Sequence, residues 1–158
     1  MELIIGENSY MTLEEANRIV EDNFMSSDSK KIYWENLKDN DKSILIYRAT
    51  QKIDVDGMIY KGRKADISQK MQFPRIISDH TGAGLMEFPD ICKVGIVMLA
   101  LKEAEYNNSE EVKLLEKGVT SYKIKDASIT LDTSFLNKVK GIDNNIFYEF
   151  FSQYSMIC

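Results

Sequence analysis

The chain has 158 residues, of which 44% are hydrophobic and 28% charged, so it has the size and composition of one globular domain and not of a disordered protein. The formal net charge of -5 argues against a general duplex-DNA-binding protein. No apolar run is long enough to span a bilayer, and the opening MELIIGENSY lacks the basic residues of a secretory signal. We therefore expect a chain that stays in the cytoplasm and has no membrane partner.

The first elements are predicted to be helices. Thr12 and Glu15 have the spacing of a capping box, and apolar residues follow at helical spacing, which predicts a helix to about Asn23. A short helix is predicted around Trp34. Asp39 to Asp41 then offer N-caps for a second long helix.

The helical spacing of apolar residues does not continue into the middle of the chain. Residues 58–88 show no sustained period and include three glycines and Pro74, which predicts a long ordered loop with one short helix near Ile67. Pro89 fits the first turn of the next helix. That helix is apolar on nearly every side, which is typical of a central, buried helix.

A β-hairpin is predicted near the C-terminal end, at Val119–Leu131. If Lys125 and Asp126 form the turn, six side chains share one face in three facing pairs: Ile124 with Ala127, Tyr122 with Ile129, and Thr120 with Leu131. A helix is predicted from about Asn144. The elements together predict a mostly α fold with a buried central helix, one hairpin and a C-terminal helix. We divide it into residues 1–141, including hairpin 119–131, and a C-terminal docking helix or tail at 142–158.

No catalytic or metal site is visible. The chain has two cysteines, Cys92 and Cys158, and one histidine, His80, whereas a structural zinc site needs about four such ligands. Cys92 has the pattern of a small buried hydrophobe. His80 lies in a Gly-rich loop without a nucleophile elbow, and no phosphate-binding loop is present, so a solvated loop histidine is favoured over a catalytic one. We expect no enzyme, no cofactor and no metal.

The strongest binding candidate is a basic segment flanked by aromatic residues. Met58 to Ile77 holds five basic residues against one acidic, a charge of +4, which leaves -9 on the rest of the chain. The candidate contacts are Tyr60, Lys61, Arg63, Lys64, Lys70, Phe73 and Arg75. Such mixtures suit single-stranded nucleic acid, because bases stack on aromatic rings while cations follow phosphates. The alternative is an exposed loop anchored in the core by Tyr60 and Phe73, or a protein contact, and we favour it because the chain is acidic overall.

The C-terminal helix carries an unusual number of aromatic residues for a chain end. Four of them, Phe147, Phe150, Phe151 and Tyr154, form a column at helical spacing. The column either packs on this chain's own core or docks into a groove of a neighbour. The sequence does not choose between these two interpretations.

The order of these features resembles the head–tail connector, or adaptor, proteins of tailed bacteriophages, including a group catalogued as DnaT-like single-stranded-DNA-binding proteins. The resemblance covers nearly the whole chain and lies in a series of short motifs: Asn8–Ala16, Trp34, Tyr60-Lys61-Gly62, Gln69–Arg75 with its ending Gln72-Phe73-Pro74-Arg75, Phe88-Pro89 and Ser121–Ile129.

The resemblance implies a helical bundle with a small hairpin that assembles into a ring, typically of twelve copies. Such a ring lies at the head–tail junction of the virion, between the portal protein and a stopper, head-completion or tail protein, and is assembled in the host cytoplasm. Genomic DNA passes through its lumen without being read. The resemblance also implies that the C-terminal segment contacts the portal, which would make Phe147, Phe150, Phe151 and Tyr154 docking residues. A structural virion protein of this kind is our leading hypothesis, and a single-stranded-DNA-binding module is the alternative.

Overall fold

The fold combines helices with short antiparallel strands. The computed structural model describes residues 1–54, 60–80, 82–108, 110, 113–114, 117, 121–124, 127–130 and 144–155. In chain order the elements are α1 (Leu13–Asn23), α2 (Ser29–Asn36), α3 (Asp39–Ile53), β1 (Arg63–Lys64), β2 (Arg75–Asp79), β3 (Gly82–Met86), α4 (Asp90–Asn108), β4 (Ser121–Ile124), β5 (Ala127–Thr130), α5 (Asn144–Phe150) and a 3-10 turn (Ser152–Tyr154). Within these ranges no helix is both long and apolar enough to cross a membrane. The fold is mixed α/β, which corrects the prediction of a mostly α bundle.

Helix α1 begins at the predicted capping box. The Thr12 hydroxyl accepts a hydrogen bond from the Glu15 amide at 3.1 Å, and the Glu15 carboxylate accepts one from the Thr12 amide at 2.8 Å. Both pairs satisfy amides that a helix leaves without a partner in its first turn. The helix ends at Asn23, as predicted, and buries Val20 against the core.

Helices α2 and α3 complete the N-terminal part. Trp34 on α2 is buried, and its indole N–H donates to the Asn17 side chain at 2.8 Å. Helix α3 differs from its prediction at the start, because the N-cap position is Lys38, which makes no capping side-chain hydrogen bond. Asp39 instead occupies the first helical position, where its negative charge suits the helix dipole.

Helix α4 is the centre of the core, as predicted. It buries residues on several sides and contacts α1, α2, α3 and α5. Pro89 lies just before the first residue of this helix, and its carbonyl oxygen accepts hydrogen bonds from the Cys92 and Lys93 amides. Cys92 is buried, which confirms its interpretation as a small core residue.

The predicted long loop with a helix near Ile67 is wrong. The segment forms an antiparallel sheet in the order β1-β2-β3, and Ile67 lies in the β1–β2 connection with its side chain 99% exposed. In this sheet Arg63 pairs with Ile76, and Ile76 pairs with Leu85. Paired residues of antiparallel strands share a face, so these three side chains lie on one face. That face is the outer one, since Leu85 is 61% exposed and Arg63 is exposed.

The second hairpin has the predicted register. Strands β4 and β5 pair Tyr122 with Ile129 and Ile124 with Ala127. The predicted turn at positions 125–126 and the predicted pair at positions 120 and 131 lie outside the described residues.

The C-terminal helix starts at Asn144, as predicted, and packs on α4. It is followed by the 3-10 turn and by Ser155, which forms a β-bridge with Tyr60. The Lys61 amide also donates to the Tyr154 carbonyl at 3.0 Å. The C-terminal segment is therefore fixed both to the central helix and to the start of the basic segment.

Candidate nucleic-acid interface

Arg75 is the structural centre of the basic segment. Its side chain is buried, and its guanidinium donates to the main-chain carbonyls of Lys61 at 2.9 Å and Gly62 at 2.6 Å. Further hydrogen bonds run to the Tyr60 carbonyl and to Gln72. A guanidinium presents five N–H donors in a fixed plane, which suits this set of acceptors. Arg75 therefore positions the loop before β1 and is not available to contact phosphate.

The two flanking aromatic residues are also inside the protein. Tyr60 and Phe73 are each 3% exposed, and their rings pack edge to face with centroids 4.9 Å apart. The Tyr60 hydroxyl donates to the Ile53 carbonyl at 2.6 Å, and burial raises the pKa of this tyrosine. The interpretation in which Tyr60 and Phe73 anchor the segment in the core is confirmed. Neither ring is free to stack on a base.

The other four predicted cations remain at the surface. Lys61 reaches the Gln153 carbonyl at 2.7 Å, and Lys70 pairs with Glu7 at 2.7 Å while both side chains stay more than half exposed. Lys64 is half-buried and lies 3.5 Å from the Gln69 carbonyl. The guanidinium of Arg63 makes no hydrogen bond or ion pair with any residue in the described part of the chain. Exposed ion pairs are worth little, so all four cations can exchange their contacts for phosphate oxygens.

Asp66, the acidic residue of the segment, forms hydrogen bonds with its close neighbour Ser68. The amide and the hydroxyl of Ser68 both donate to the Asp66 carboxylate, at 2.8 and 2.7 Å. These hydrogen bonds hold the pKa of Asp66 below its usual value, so the carboxylate is charged at neutral pH. Four surface cations against this one anion leave the exposed part of the segment positive.

Gly62 fixes how the cations are presented. Its φ of +75° belongs to the left-handed region, and an added Cβ would lie 2.3 Å from the Ile76 carbonyl oxygen. Only glycine allows the chain to pass so close to β2 in this conformation. Lys61 and Arg63 are thereby held on either side of a tight turn, and Arg75 bonds to the carbonyls beneath them.

The C-terminal aromatic column is packed inside this chain. Phe147 and Phe150 are 9% and 8% exposed, and Phe151 is fully buried. Tyr154 is partly exposed and packs against the same core. Packing on the chain's own core accounts for these positions, and the accessible aromatic residue of α5 is Tyr148, which is 61% exposed.

The residues considered for chemistry lie apart from the basic segment's surface cations or outside the described residues. His80 is exposed in the turn after β2. Cys92 donates its thiol proton to the Phe150 carbonyl at 3.1 Å, and burial raises its pKa to about 12, so the thiolate nucleophile is scarce at neutral pH. Cys158 lies outside the described residues. Across the ranges that the structure describes, no group of three or more His, Cys, Asp or Glu side chains could hold a metal ion.

The sequence reasoning missed the outer face of the three-stranded sheet. Arg63, Ile76 and Leu85 form a row there, with the cation at one end and an exposed leucine at the other. The signal was weak, because β1 has two residues and β3 is rich in glycine.

Comparison with known proteins gives one family. A family model described as "Putative DnaT-like ssDNA binding protein" matches residues 2–144, which includes the whole basic segment and the three-stranded sheet. No curated protein and no solved structure matches the chain.

Proposed function

Because the chain belongs to this DnaT-like family, we propose that it is a non-enzymatic protein that binds single-stranded DNA through Lys61, Arg63, Lys64 and Lys70. The observation that carries the proposal is the buried Arg75, which ties down the main chain under Lys61 and Arg63 while leaving these side chains exposed. Because the main chain that carries them is already ordered, only the two side chains lose conformational freedom when they meet phosphates.

The charge distribution favours single strands over duplex. The positive segment is short, and the rest of the chain is acidic, so a long stretch of duplex would meet repulsion beyond the contact. A flexible single strand can follow a short basic path and bend away from the acidic surface. Phosphate contacts carry no base information, so this surface supplies affinity without sequence preference.

The test replaces Lys61, Arg63 and Lys64 together by alanine. Binding of a labelled oligothymidylate is measured by fluorescence anisotropy across a salt series. Each lost phosphate contact makes the slope of log K against log salt shallower by about 0.7 for single strands, so we expect a change of about 2. The same measurement gives the affinity at low salt, and the affinity of the triple variant should be much lower than that of the wild-type protein.

A matched control removes the same charge elsewhere. Arg18, Lys30 and Lys38 are exposed on or beside α1, α2 and α3, and their replacement by alanine changes the net charge equally. This control should keep the wild-type slope. The proposal is wrong if the wild-type protein binds no oligonucleotide at low salt, or if the two triple variants lose affinity alike.

A second candidate function is the phage head–tail connector that the sequence resembles. The observation that favours it is one of the two edge strands of the sheet, β3, which carries no charged residue and exposes Leu85. Natural sheet edges are usually protected by charge or proline, so an uncharged edge suits contact with another subunit. In this proposal the protein forms a ring, with twelve copies expected, between the portal and a stopper or tail protein. It is made in the host cytoplasm, ends in the virion, and lets genomic DNA pass unread.

The connector proposal is tested by mixing the chain with the portal protein encoded nearby and imaging the product by electron microscopy. A ring on the portal would support it, and the absence of any association would exclude it. The variant for portal docking is Tyr148→Asp, since Tyr148 is exposed, whereas charges at Phe150 or Phe151 would disrupt the core. Tyr148→Asp should keep the fold and weaken portal binding if α5 is the docking element.

A further inference from the structure

A small cavity lies beside the basic segment, between the N-terminal turn and the start of α4. Its volume is about 190 Å³. The cavity is lined by residues from the N-terminal turn, the basic segment and the start of α4: Ile5, Gly6, Tyr10, Phe73, Pro74, Glu87, Phe88 and Lys93. Pockets for drug-sized ligands typically measure about 300–1,000 Å³. This cavity is thus suited to one small group, such as a single ring.

Aromatic rings form much of its wall. The rings of Tyr10 and Phe88 are parallel with centroids 3.8 Å apart, and Phe73 meets Phe88 edge to face at 5.3 Å. Tyr10 and Phe73 are buried, whereas Phe88 is only partly buried and so is within reach from solvent. Each ring is held by its neighbours, so the wall is rigid before any ligand arrives.

The rim supplies two groups of opposite charge. Glu87 is exposed, and its carboxylate can accept a hydrogen bond from an N–H group. The Lys93 ammonium can donate to a carbonyl oxygen, and it is held in place by Glu15 at 3.3 Å and Asp90 at 3.2 Å. An aromatic wall with one acceptor and one donor at its edge is complementary to a nucleobase, which has a flat π-face and a polar edge.

The cavity adjoins the surface cations on two sides. On one side, Pro74 lines the cavity, and its carbonyl oxygen accepts a hydrogen bond from the amide of Ala65, the residue after Lys64, at 3.0 Å. On the other side Gly6 is followed by Glu7, whose carboxylate holds the Lys70 ammonium at 2.7 Å. A base in the cavity would therefore lie close to the segments that carry Lys64 and Lys70.

We propose that this cavity binds one base of single-stranded DNA, with the neighbouring phosphates on Lys64 and Lys70. The inference rests on the proposed single-stranded-DNA binding and adds to it the site that contacts a base. The partly exposed ring of Phe88 would supply the aromatic contact for which the rings of Tyr60 and Phe73 are too deeply buried.

The test compares two oligonucleotides of equal length on the full-length protein. One is oligothymidylate, and the other has the same phosphates but abasic sugars. Stacking of one base is worth about a 5- to 150-fold change in affinity, so the wild-type protein should prefer oligothymidylate by a factor in that range. Phe88→Ala should abolish the preference while leaving the slope against salt unchanged, because the phosphate contacts remain.

The control is Tyr148→Ala, which removes an exposed aromatic ring on α5. This variant should retain the preference for oligothymidylate. Fluorescence of Trp34, the one tryptophan of the chain, reports whether each variant is folded. If Phe88→Ala does not fold, Phe88→Leu replaces it, because leucine removes the aromatic ring but keeps most of the apolar volume. The comparison of the two oligonucleotides on the wild-type protein requires no variant.

Each remaining outcome overturns a defined statement. Equal binding of both oligonucleotides by the wild-type protein rejects the base cavity and leaves the phosphate-binding proposal standing. The cavity is also rejected if Phe88→Ala still prefers oligothymidylate over the abasic oligonucleotide, or if Tyr148→Ala loses that preference. In either case the base binds elsewhere on the protein. No binding of either oligonucleotide rejects the proposed function and this inference with it.

Discussion

Burial decides what each basic residue of the segment does. Arg75 and Arg63 are of the same type and stand twelve positions apart, yet Arg75 is buried among carbonyl oxygens and Arg63 is exposed. The planar guanidinium of Arg75 satisfies acceptors that a lysine could not reach together. A count of charges along the sequence treats the two arginines alike. It therefore cannot show that Arg75 stabilises the loop from inside while Arg63 lies at the surface.

Gly95 provides a test of how α5 is seated. An added Cβ at this position would lie 2.6 Å from a ring carbon of Phe151 and 2.7 Å from the Cβ of Phe150. Overpacking that displaces the two phenylalanines costs about 1–3 kcal/mol, and the higher helix propensity of alanine offsets about 1 kcal/mol of it. We therefore expect Gly95→Ala to lower the free energy of unfolding by up to about 2 kcal/mol. Urea unfolding followed by Trp34 fluorescence measures the difference.

Gly84→Ala is the matched control for that experiment. Gly84 lies in β3, and a Cβ there would meet nothing within 4 Å. The control should unfold at a urea concentration close to that of the wild type. If Gly95→Ala behaves like the control, the close approach of α5 to α4 at Gly95 is incorrect.

Among the elements, those with local signals were predictable from the sequence. The capping box of α1 involves residues three positions apart, and the β4–β5 register follows from alternation about a two-residue turn. The three-stranded sheet was not predictable, because its strands are short and the buried position of β2 is an arginine. An inward-facing Arg75 breaks the alternation of apolar and polar residues on which strand prediction depends.

The position of α5 could not be predicted for another reason. Its aromatic column has the same spacing whether it packs on α4 or on another protein, so the pattern leaves both interpretations open. Gly95 makes room for Phe151 and so favours packing on α4, but it lies about fifty residues away in the sequence. The cavity walls come from separate segments in the same way, around Tyr10, Phe73 and Phe88.

At the scale of the whole molecule, the charges are divided between two regions. The segment from Met58 to Ile77 carries +4 and the rest of the chain -9. With Arg75 buried, this segment presents four cations at the surface, Lys61, Arg63, Lys64 and Lys70. Such a surface suits a weak and salt-sensitive association with one short stretch of single strand. In the proposed function, the acidic remainder would repel longer nucleic acid and so limit nonspecific binding.

The C-terminal segment should unfold together with the rest of the molecule. Cys92 is buried under α5, and its thiol bonds to the Phe150 carbonyl. Residues 144–155 are also tied to the core through the Ser155–Tyr60 bridge. In a Cys158→Ser variant, reaction of Cys92 with a thiol reagent should therefore rise at the same urea concentration at which Trp34 fluorescence changes, since coincident probes mark a single cooperative transition. A separate docking tail at 142–158 would instead expose Cys92 at lower urea, because α5 would detach while the helices around Trp34 stayed folded.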